Sequence, residues 1–181
     1  VRNLAKVLMH FQDEDLVIVV SAMGKTTNAL ESVVEQFSNG NGVDPGLETL
    51  RRGHLALLAE VAPQDVAAAA ELILHFDRLN TYLNGKPSSN RDRDYDHVVS
   101  YGELWSTLII SAHLKSVQLA NTWVDARTIV RTDELYRAAR IDWATSELRA
   151  STLLSEIDGS PKRMVTQGFI GFSSEGTTTT L

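Results

Sequence analysis

The chain has 181 residues, of which 43% are apolar, and a formal net charge of −6. This length fits one compact domain or part of a larger one. Because the balance is acidic and no stretch gathers Lys and Arg, nucleic acid is a poor candidate for a partner. The sequence contains no cysteine, which excludes disulfides, thiolate metal ligands and a cysteine nucleophile.

The amino terminus shows no targeting pattern. No apolar run approaches the roughly 20 residues that span a bilayer, and residues 1–10 lack the apolar region of a secretory signal. We therefore expect a cytoplasmic protein with a small-molecule substrate and no membrane partner. The chain opens on Val1 rather than Met, inside a helical pattern without a cap, which we interpret as an edge within a larger domain.

The first elements in chain order predict an α/β protein. An amphipathic helix is predicted over 1–11, and residues 16–20 form an apolar, β-branched run typical of a strand buried on both faces. A small polar loop at 21–27 leads into a helix predicted over 29–37. The order of strand, polar loop and helix is the usual arrangement of ligand sites in α/β folds.

The middle of the chain is predicted to be mostly helical. A Gly-rich and Asn-rich break at 39–46 precedes long helices over 47–61 and 64–83. Residues 84–96 alternate Arg and Asp after a Gly and a Pro, which indicates a solvated loop. A further helix is predicted over 97–116.

The last third adds two strands and a helix. A strand at 119–124 ends in Asp125-Ala126-Arg127, and a polar connector runs to Arg140. An amphipathic helix over 143–157 precedes a strand at 164–170 and a tail rich in Gly, Ser and Thr. We predict a three-layer α/β/α sandwich with a mainly parallel sheet, whose central strands include residues 16–21, 119–124 and 163–170.

The loop after the first strand admits two interpretations. Gly24-Lys25-Thr26 between a strand and a helix is suggestive of a phosphate-binding P-loop. That motif needs a glycine five positions earlier, where the chain has Val19. A P-loop-like nucleotide switch therefore stays only as an alternative.

Three polar side chains stand where a ligand could bind. Ser21 and Thr27 flank the loop at the carboxyl end of the first strand, although a threonine there also serves as a helix cap. Glu103 follows a glycine on an otherwise apolar helix. It can complement the helix dipole, or it can accept hydrogen bonds from the ammonium group of an amino acid.

Glycines at the end of the last strand permit a close approach of backbone to ligand, or form a hairpin. This segment is Gln-Gly-Phe-Ile-Gly at 167–171. The five histidines show no metal-ligand spacing, so we interpret them as structural and assign no metal site.

Four segments in order resemble the successive signatures of aspartate kinases, a group within the amino-acid kinase family. They are Val-Val-Ser-Ala-Met-Gly at 19–24 with Thr-Asn-Ala-Leu at 27–30, Ser-Tyr-Gly-Glu-Leu at 100–104, Val-Asp-Ala-Arg at 124–127, and Thr-Gln-Gly-Phe-Ile-Gly at 166–171 with Thr-Thr-Thr-Leu at 178–181. Each segment alone is a weak signal, whereas the ordered set is specific.

The resemblance implies ATP-dependent and Mg²⁺-dependent phosphorylation of the β-carboxylate of L-aspartate, the first step towards lysine, threonine and methionine. By position, Thr27 and Glu103 match the aspartate-binding residues of that family, and Ser21 matches a serine of the same pocket. Gly168 and Phe169 match the strand end that lines it.

The chain also departs from the family pattern. It contains neither the Lys-Phe-Gly-Gly-Thr-Ser segment that begins the family's catalytic domain nor the later Gly-Arg-Gly-Gly-Ser-Asp segment, and no regulatory ACT domain. We therefore expect residues 1–181 to be a partial catalytic domain with low activity of its own, and its catalytic and nucleotide-binding residues stay unassigned. A homodimer and a non-catalytic binding fragment are further open expectations.

Overall fold

The computed structural model describes residues 1–40 and 45–181. Within them the helices are α1 (Arg2–Leu8), α2 (Thr26–Ser38), α3 (Pro45–Val61), α4 (Val66–Leu83), α5 (Arg91–Ser116) and α6 (Trp143–Glu156). The strands are β1 (Leu16–Val20), β2 (Thr122–Trp123), β3 (Arg131–Thr132), β4 (Arg163–Gln167), β5 (Ile170–Ser173) and β6 (Thr178–Thr180). Short 3-10 turns follow α1 and precede β3, at Met9–Phe11 and Ala126–Thr128.

A parallel three-stranded sheet in the order β1-β4-β2 forms the centre of the fold. Leu16 lies opposite Arg163, and Val20 lies opposite Gln167 at the carboxyl end of the strand pair. The three strands run in the same direction, so the segments that follow them emerge at one edge. This arrangement confirms the predicted α/β class with a parallel sheet.

Helices cover this sheet on both sides, but not evenly. Side chains of α1 and α5 pack with Ile18 and Val165 on one face, and Met164 packs towards Ile157 beside α6 on the other. Val17 and Val19 are 52% and 59% exposed, so the expectation that β1 is buried on both faces was wrong. The described helices reach the second face beside β4 and leave it open beside β1.

A second small sheet has the order β3-β5-β6, with β3 parallel and β6 antiparallel to β5. Its presence corrects two predictions. The connector up to Arg140 contains β3. The expected strand over 164–170 is interrupted at Phe169, where a φ of +69° turns the chain from β4 into β5.

The predicted strand at 119–124 is reduced to Thr122–Trp123. Gln118 takes a φ of +65°, and the Leu119 N–H bonds to the Leu114 carbonyl 2.9 Å away. This left-handed end of α5 includes Leu119, which the apolar pattern had assigned to the strand.

The start of α5 overturns the expectation of a solvated loop at 84–96. Asn90 caps the helix by accepting from the Asp92 and Arg93 N–H groups, and Asp94 and Asp96 are fully buried. Asp94 accepts hydrogen bonds from the Tyr82 hydroxyl and the Ser88 N–H. The alternating Arg and Asp residues had indicated a hydrated surface. These two carboxylates are buried instead, because hydrogen-bond donors are present in the interior.

The largest apolar core lies among α2, α3, α4 and α5. The rings of Trp105 and Phe76 stack with centroids 3.9 Å apart, and both side chains are almost fully buried. Each large side chain buried in this way stabilises the fold by about 1.5–3 kcal/mol. Pro45 and Gly46 belong to α3 rather than to the predicted break at 39–46, of which residues 41–44 lie outside the described part.

Candidate functional site

The candidate site lies at the carboxyl edge of the sheet β1-β4-β2. Ser21 follows β1 and Gly168 follows β4, and these strands are adjacent and parallel. The two residues therefore leave the sheet side by side, as the fold class requires. Ser21 is exposed and Gly168 is half-buried.

Helix α5 presents a polar stripe to this edge. The stripe consists of the buried residues Asp96, Ser100, Glu103 and Thr107. They repeat at intervals of four, three and four residues, which places them on one face of the helix. From Val98 onward the other buried side chains of α5 are mostly apolar. Ser100 bonds to the His97 carbonyl within the helix, whereas the carboxylates of Asp96 and Glu103 need partners from outside it.

Glu103 is the member of the stripe that lies against the loop after β1. Its Oε1 accepts a hydrogen bond from the Ala22 N–H at 3.3 Å. Its Oε2 is buried and has no hydrogen-bond partner among the described residues. Burial raises the pKa of this carboxyl, and the Ala22 N–H opposes the shift. An unpaired buried carboxylate oxygen is costly, which makes it a candidate to receive a cationic ligand group.

Besides the hydrogen bond between Ala22 and Glu103, two further contacts hold the loop of residues 21–25 against α5. The Ser106 hydroxyl donates to the Ser21 carbonyl at 2.9 Å. Gly102 allows the close approach, because a Cβ at this position would lie 3.0 Å from the Ala22 Cβ and 3.4 Å from the Thr26 Cγ2. A larger residue at 102 would push the loop away from Glu103.

Thr27 is half-buried in the first turn of α2, next to Thr26, whose hydroxyl donates to the Met23 carbonyl at 2.6 Å. The structure brings this turn to Glu103 through the contact between Thr26 and Gly102. No hydrogen bond joins the Thr27 and Glu103 side chains in the part of the chain that is described.

Gly168 and Phe169 form the turn between β4 and β5. A Cβ at Gly168 would approach the Val19 Cγ1 to 3.2 Å, so the backbone lies close to β1. Phe169 is 41% exposed and adopts a φ of +69°, a conformation that non-glycine residues seldom take. Its carbonyl accepts from the Leu181 N–H at 3.0 Å, which ties the hairpin end to this turn.

Sequence reasoning missed the side chains that hold the edge together. Gln167 accepts from the Ala126 N–H at 2.7 Å and donates to the Thr107 hydroxyl at 2.6 Å. Asp96 accepts from the Thr180 N–H and hydroxyl at 2.8 and 2.6 Å, and from the Arg137 N–H. Polar residues at helical spacing within an apolar helix were the available signal.

The Gly24-Lys25-Thr26 turn leads into the amino terminus of α2. Gly24 has a φ of +58°, and Lys25 occupies the cap position of α2 without a side-chain cap bond.

The described residues contain no group of three or more His, Cys, Asp or Glu arranged to hold a metal ion. No Mg²⁺ ligands are therefore assigned to them. No helix in the same residues is long and apolar enough to cross a bilayer.

Comparison with known proteins assigns the chain to a family. The profile of the amino acid kinase family matches residues 1–180. The chain therefore belongs to the amino acid kinase family, which agrees with the parallel sheet of its fold.

Within that family the chain is similar to aspartokinases. It is 31% identical to the bifunctional aspartokinase/homoserine dehydrogenase 2 of Escherichia coli K12 over 99% of this chain and 22% of that protein. It is 30% identical to the lysine-sensitive aspartokinase 3 of the same organism over 91% of this chain and 36% of that protein. These similarities favour the kinase interpretation over the P-loop alternative.

The crystal structure of E. coli aspartokinase III in complex with aspartate and ADP superposes with a TM-score of 0.81 at 27% identity. The match covers 98% of this chain and 39% of the E. coli chain. This chain thus spans between about one fifth and two fifths of the length of these relatives.

Proposed function

We propose that this chain is the aspartate-binding part of an aspartate kinase, which phosphorylates the β-carboxylate of L-aspartate with ATP to give aspartyl phosphate. The ordered sequence segments and the similarity to aspartokinases support this proposal. The solved E. coli relative contains aspartate and ADP, which agrees with the two proposed substrates.

The observation that carries the proposal is the unpaired Oε2 of Glu103. The α-ammonium group of an amino acid is a compact cation that donates three hydrogen bonds. Placed beside Glu103, it would satisfy the buried oxygen and keep the carboxyl ionised in spite of its raised pKa. A ligand with an ammonium group therefore fits the position beside Glu103.

The remaining proposed contacts surround Glu103 at the same edge. Ser21 and Thr27 offer hydroxyl and backbone donors to the substrate carboxylates, and Gly168 and Phe169 line the pocket from the end of β4. Held in this way, the β-carboxylate would attack the γ-phosphorus in line while ADP leaves. The Mg²⁺ that such transfers use finds no ligand cluster in the described residues, so no role is derived for it.

Isothermal titration calorimetry with L-aspartate and with succinate tests the role of Glu103. Succinate has both carboxylates of aspartate but no ammonium group. We expect Glu103→Gln to weaken L-aspartate binding about tenfold or more, because one charge-assisted contact is lost, and to leave succinate binding nearly unchanged. Glu147→Gln removes the same charge from an exposed position on α6 and should behave as wild type.

The two ligands make the outcome decisive. Equal losses for aspartate and succinate would mean that Glu103 only maintains the fold of the edge. Unchanged aspartate affinity in Glu103→Gln would remove the basis of the proposal. A homodimer and a cytoplasmic location stay predictions that these titrations do not address.

A further inference from the structure

A cavity lies apart from Glu103, between α4, α5 and the β5–β6 hairpin. Its volume is about 270 Å³, and its polar lining comes from Tyr82, Arg93, His97, Arg127, Thr177 and Thr178. His97 and Glu103 are six residues apart on α5, which separates them by about 9 Å along the axis and about 120° around it. The cavity is therefore not a part of the site described above.

Arg93 brings a free positive charge to this cavity. It is exposed in the first turn of α5, and its guanidinium forms neither an ion pair nor a hydrogen bond with any residue in 1–40 or 45–181. An arginine carries five N–H donors in a fixed plane and stays charged at any physiological pH. Its donors are available to a ligand in the cavity.

Arg127 also lines the cavity, and its guanidinium has partners along only part of its edge. Its Nε and Nη2 donate to the Asp125 carboxylate, with the shortest contact at 2.6 Å from Nη2. Its Nη1 donates to the Thr178 hydroxyl oxygen at 3.2 Å, on the cavity side. Asp125 thus neutralises one edge of the guanidinium, and the other edge contacts Thr178 in the cavity lining.

Thr178 adds a second donor at the same place. The residue is only 4% exposed, and its hydroxyl accepts from Arg127. The hydroxyl proton itself is donated to no acceptor within the described residues, although buried donors are normally paired. The Arg127 and Thr178 pair therefore presents unused N–H and O–H groups in a buried corner.

Two cationic side chains line the cavity, and they also act on its histidine. Burial is the main cause that lowers the pKa of His97 to about 4, with contributions from the positive charges of Arg127 and Arg93 and an opposing one from Asp94. His97 is therefore neutral at pH 7 and contributes a polar ring rather than a charge. Asp94 already accepts from Tyr82 and Ser88.

We propose that this cavity binds one small oxyanion, a carboxylate or a phosphate group, between the Arg93 guanidinium and the Arg127–Thr178 pair. Guanidinium groups bind such planar or tetrahedral oxyanions with paired hydrogen bonds. The volume suits a single acidic group or a small acid and lies just below the usual range for drug-sized ligands. The proposal depends on cavity geometry and does not rest on the proposed kinase function.

Nuclear magnetic resonance titration of the ¹⁵N-labelled chain tests this site with two probes, sodium phosphate and sodium acetate. The ionic strength is held constant with sodium chloride, so that general charge screening does not change. We expect saturable shifts of the Thr177 and Thr178 amides and of the Arg93 Nε–H signal. Phosphate should bind at least as tightly as acetate, because it carries the larger charge.

Arg93→Gln is the main variant, because this exposed side chain has no partner whose loss would disturb the fold. We expect it to weaken phosphate binding about tenfold, whereas Arg52→Gln, an equal charge change on the exposed surface of α3, should have no effect. Thr178→Val should also weaken binding, by a smaller factor. If phosphate causes no saturable shift, or if Arg93→Gln binds as tightly as wild type, the proposal is wrong.

Saturation by phosphate alone would show that the site prefers a phosphate group, and saturation by both probes would show a site for oxyanions in general. Equal weakening by Arg93→Gln and Arg52→Gln would show non-specific attraction and would overturn the site.

Discussion

The helical layer of α2 to α5 and the carboxyl edge of the sheet β1-β4-β2 are stabilised in different ways. The layer packs apolar and aromatic side chains, such as the stacked pair Trp105 and Phe76. The edge is joined by hydrogen bonds from side chains to distant backbone, such as those of Gln167 and Asp96. Close packing of apolar side chains tolerates little loss of volume. Hydrogen bonds to distant backbone instead fix the positions of polar atoms at the edge.

Helix α5 belongs to both regions and explains how they are connected. Trp105 lies on the face that completes the core, while Glu103 lies on the polar stripe. Unpaired buried atoms occur in both regions, including Trp105 Nε1 and Glu103 Oε2. The carboxylate is the costly one, because it can carry a full charge. The apolar layer thus supports a polar edge that contains an unpaired carboxylate oxygen, a combination common in binding sites.

Replacing Trp105 by Ala should produce the largest loss of stability among the changes considered. The side chain is fully buried and stacks on Phe76, so its removal leaves a cavity within the layer. We expect the free energy of unfolding, measured by urea denaturation, to fall by about 3–5 kcal/mol.

Trp143→Ala is the matched control, because this tryptophan is 73% exposed at the start of α6. Its effect should stay within about 0.5 kcal/mol. Similar losses in the two variants would contradict the view that the helical layer carries most of the stability.

Acid should weaken the layer through His97, whose ring lies 4.0 Å from that of Tyr82 between centroids. The folded-state pKa is about 4, below the unfolded value of about 6.5. The unfolded chain therefore binds the proton first, and stability present above pH 6.5 is lost as the pH falls towards 4. We expect this histidine to account for about 2–3 kcal/mol of that loss.

Urea denaturation of wild type and His97→Gln at pH 7, 5.5 and 4 measures the contribution. Other buried histidines, such as His54 and His75, also have pKa values lowered by burial, so both proteins should lose stability in acid. The wild type should lose more, by the amount given above. Parallel pH profiles would show that His97 is not a significant proton-linked group.

The sequence predicted the regular elements well where periodicity was strong. The helices over 47–61 and 64–83 correspond within two residues to α3 and α4, and the apolar run at 16–20 corresponds to β1. These patterns are local and follow from one buried face or a buried strand. The start of α5 was missed, because charged residues such as Asp94 were taken for a solvated loop.

The convergence of Ser21 and Gly168 also followed from the sequence, because parallel neighbouring strands end at one edge. The contacts that hold this edge did not. Asp96 and Thr180 are separated by 84 residues, and neither carries a local signal of the other. Pairings of this kind depend on tertiary packing, which periodicity does not encode.

Glu103→Gln should give the smallest of the predicted changes in the free energy of unfolding, and this change should be a gain rather than a loss. Gln keeps the oxygen that accepts from the Ala22 N–H but removes the buried charge. Because burial raises the folded-state pKa of Glu103, the folded chain holds its proton more tightly, and stability falls as the pH rises through the unfolded value of about 4.5. We therefore expect the variant to be more stable than wild type by about 1 kcal/mol at pH 7, with a smaller gap at pH 4.

Urea denaturation at the two pH values, with Glu147→Gln as the exposed control, measures this gap. A gain in stability together with a loss of L-aspartate binding would separate the two regions directly, because the same residue would then oppose folding and support ligand recognition. A loss of stability at pH 7 would instead mean that Glu103 stabilises the fold, as Asp96 does. The sheet edge would then not differ from the helical layer at the residue proposed to bind the ligand.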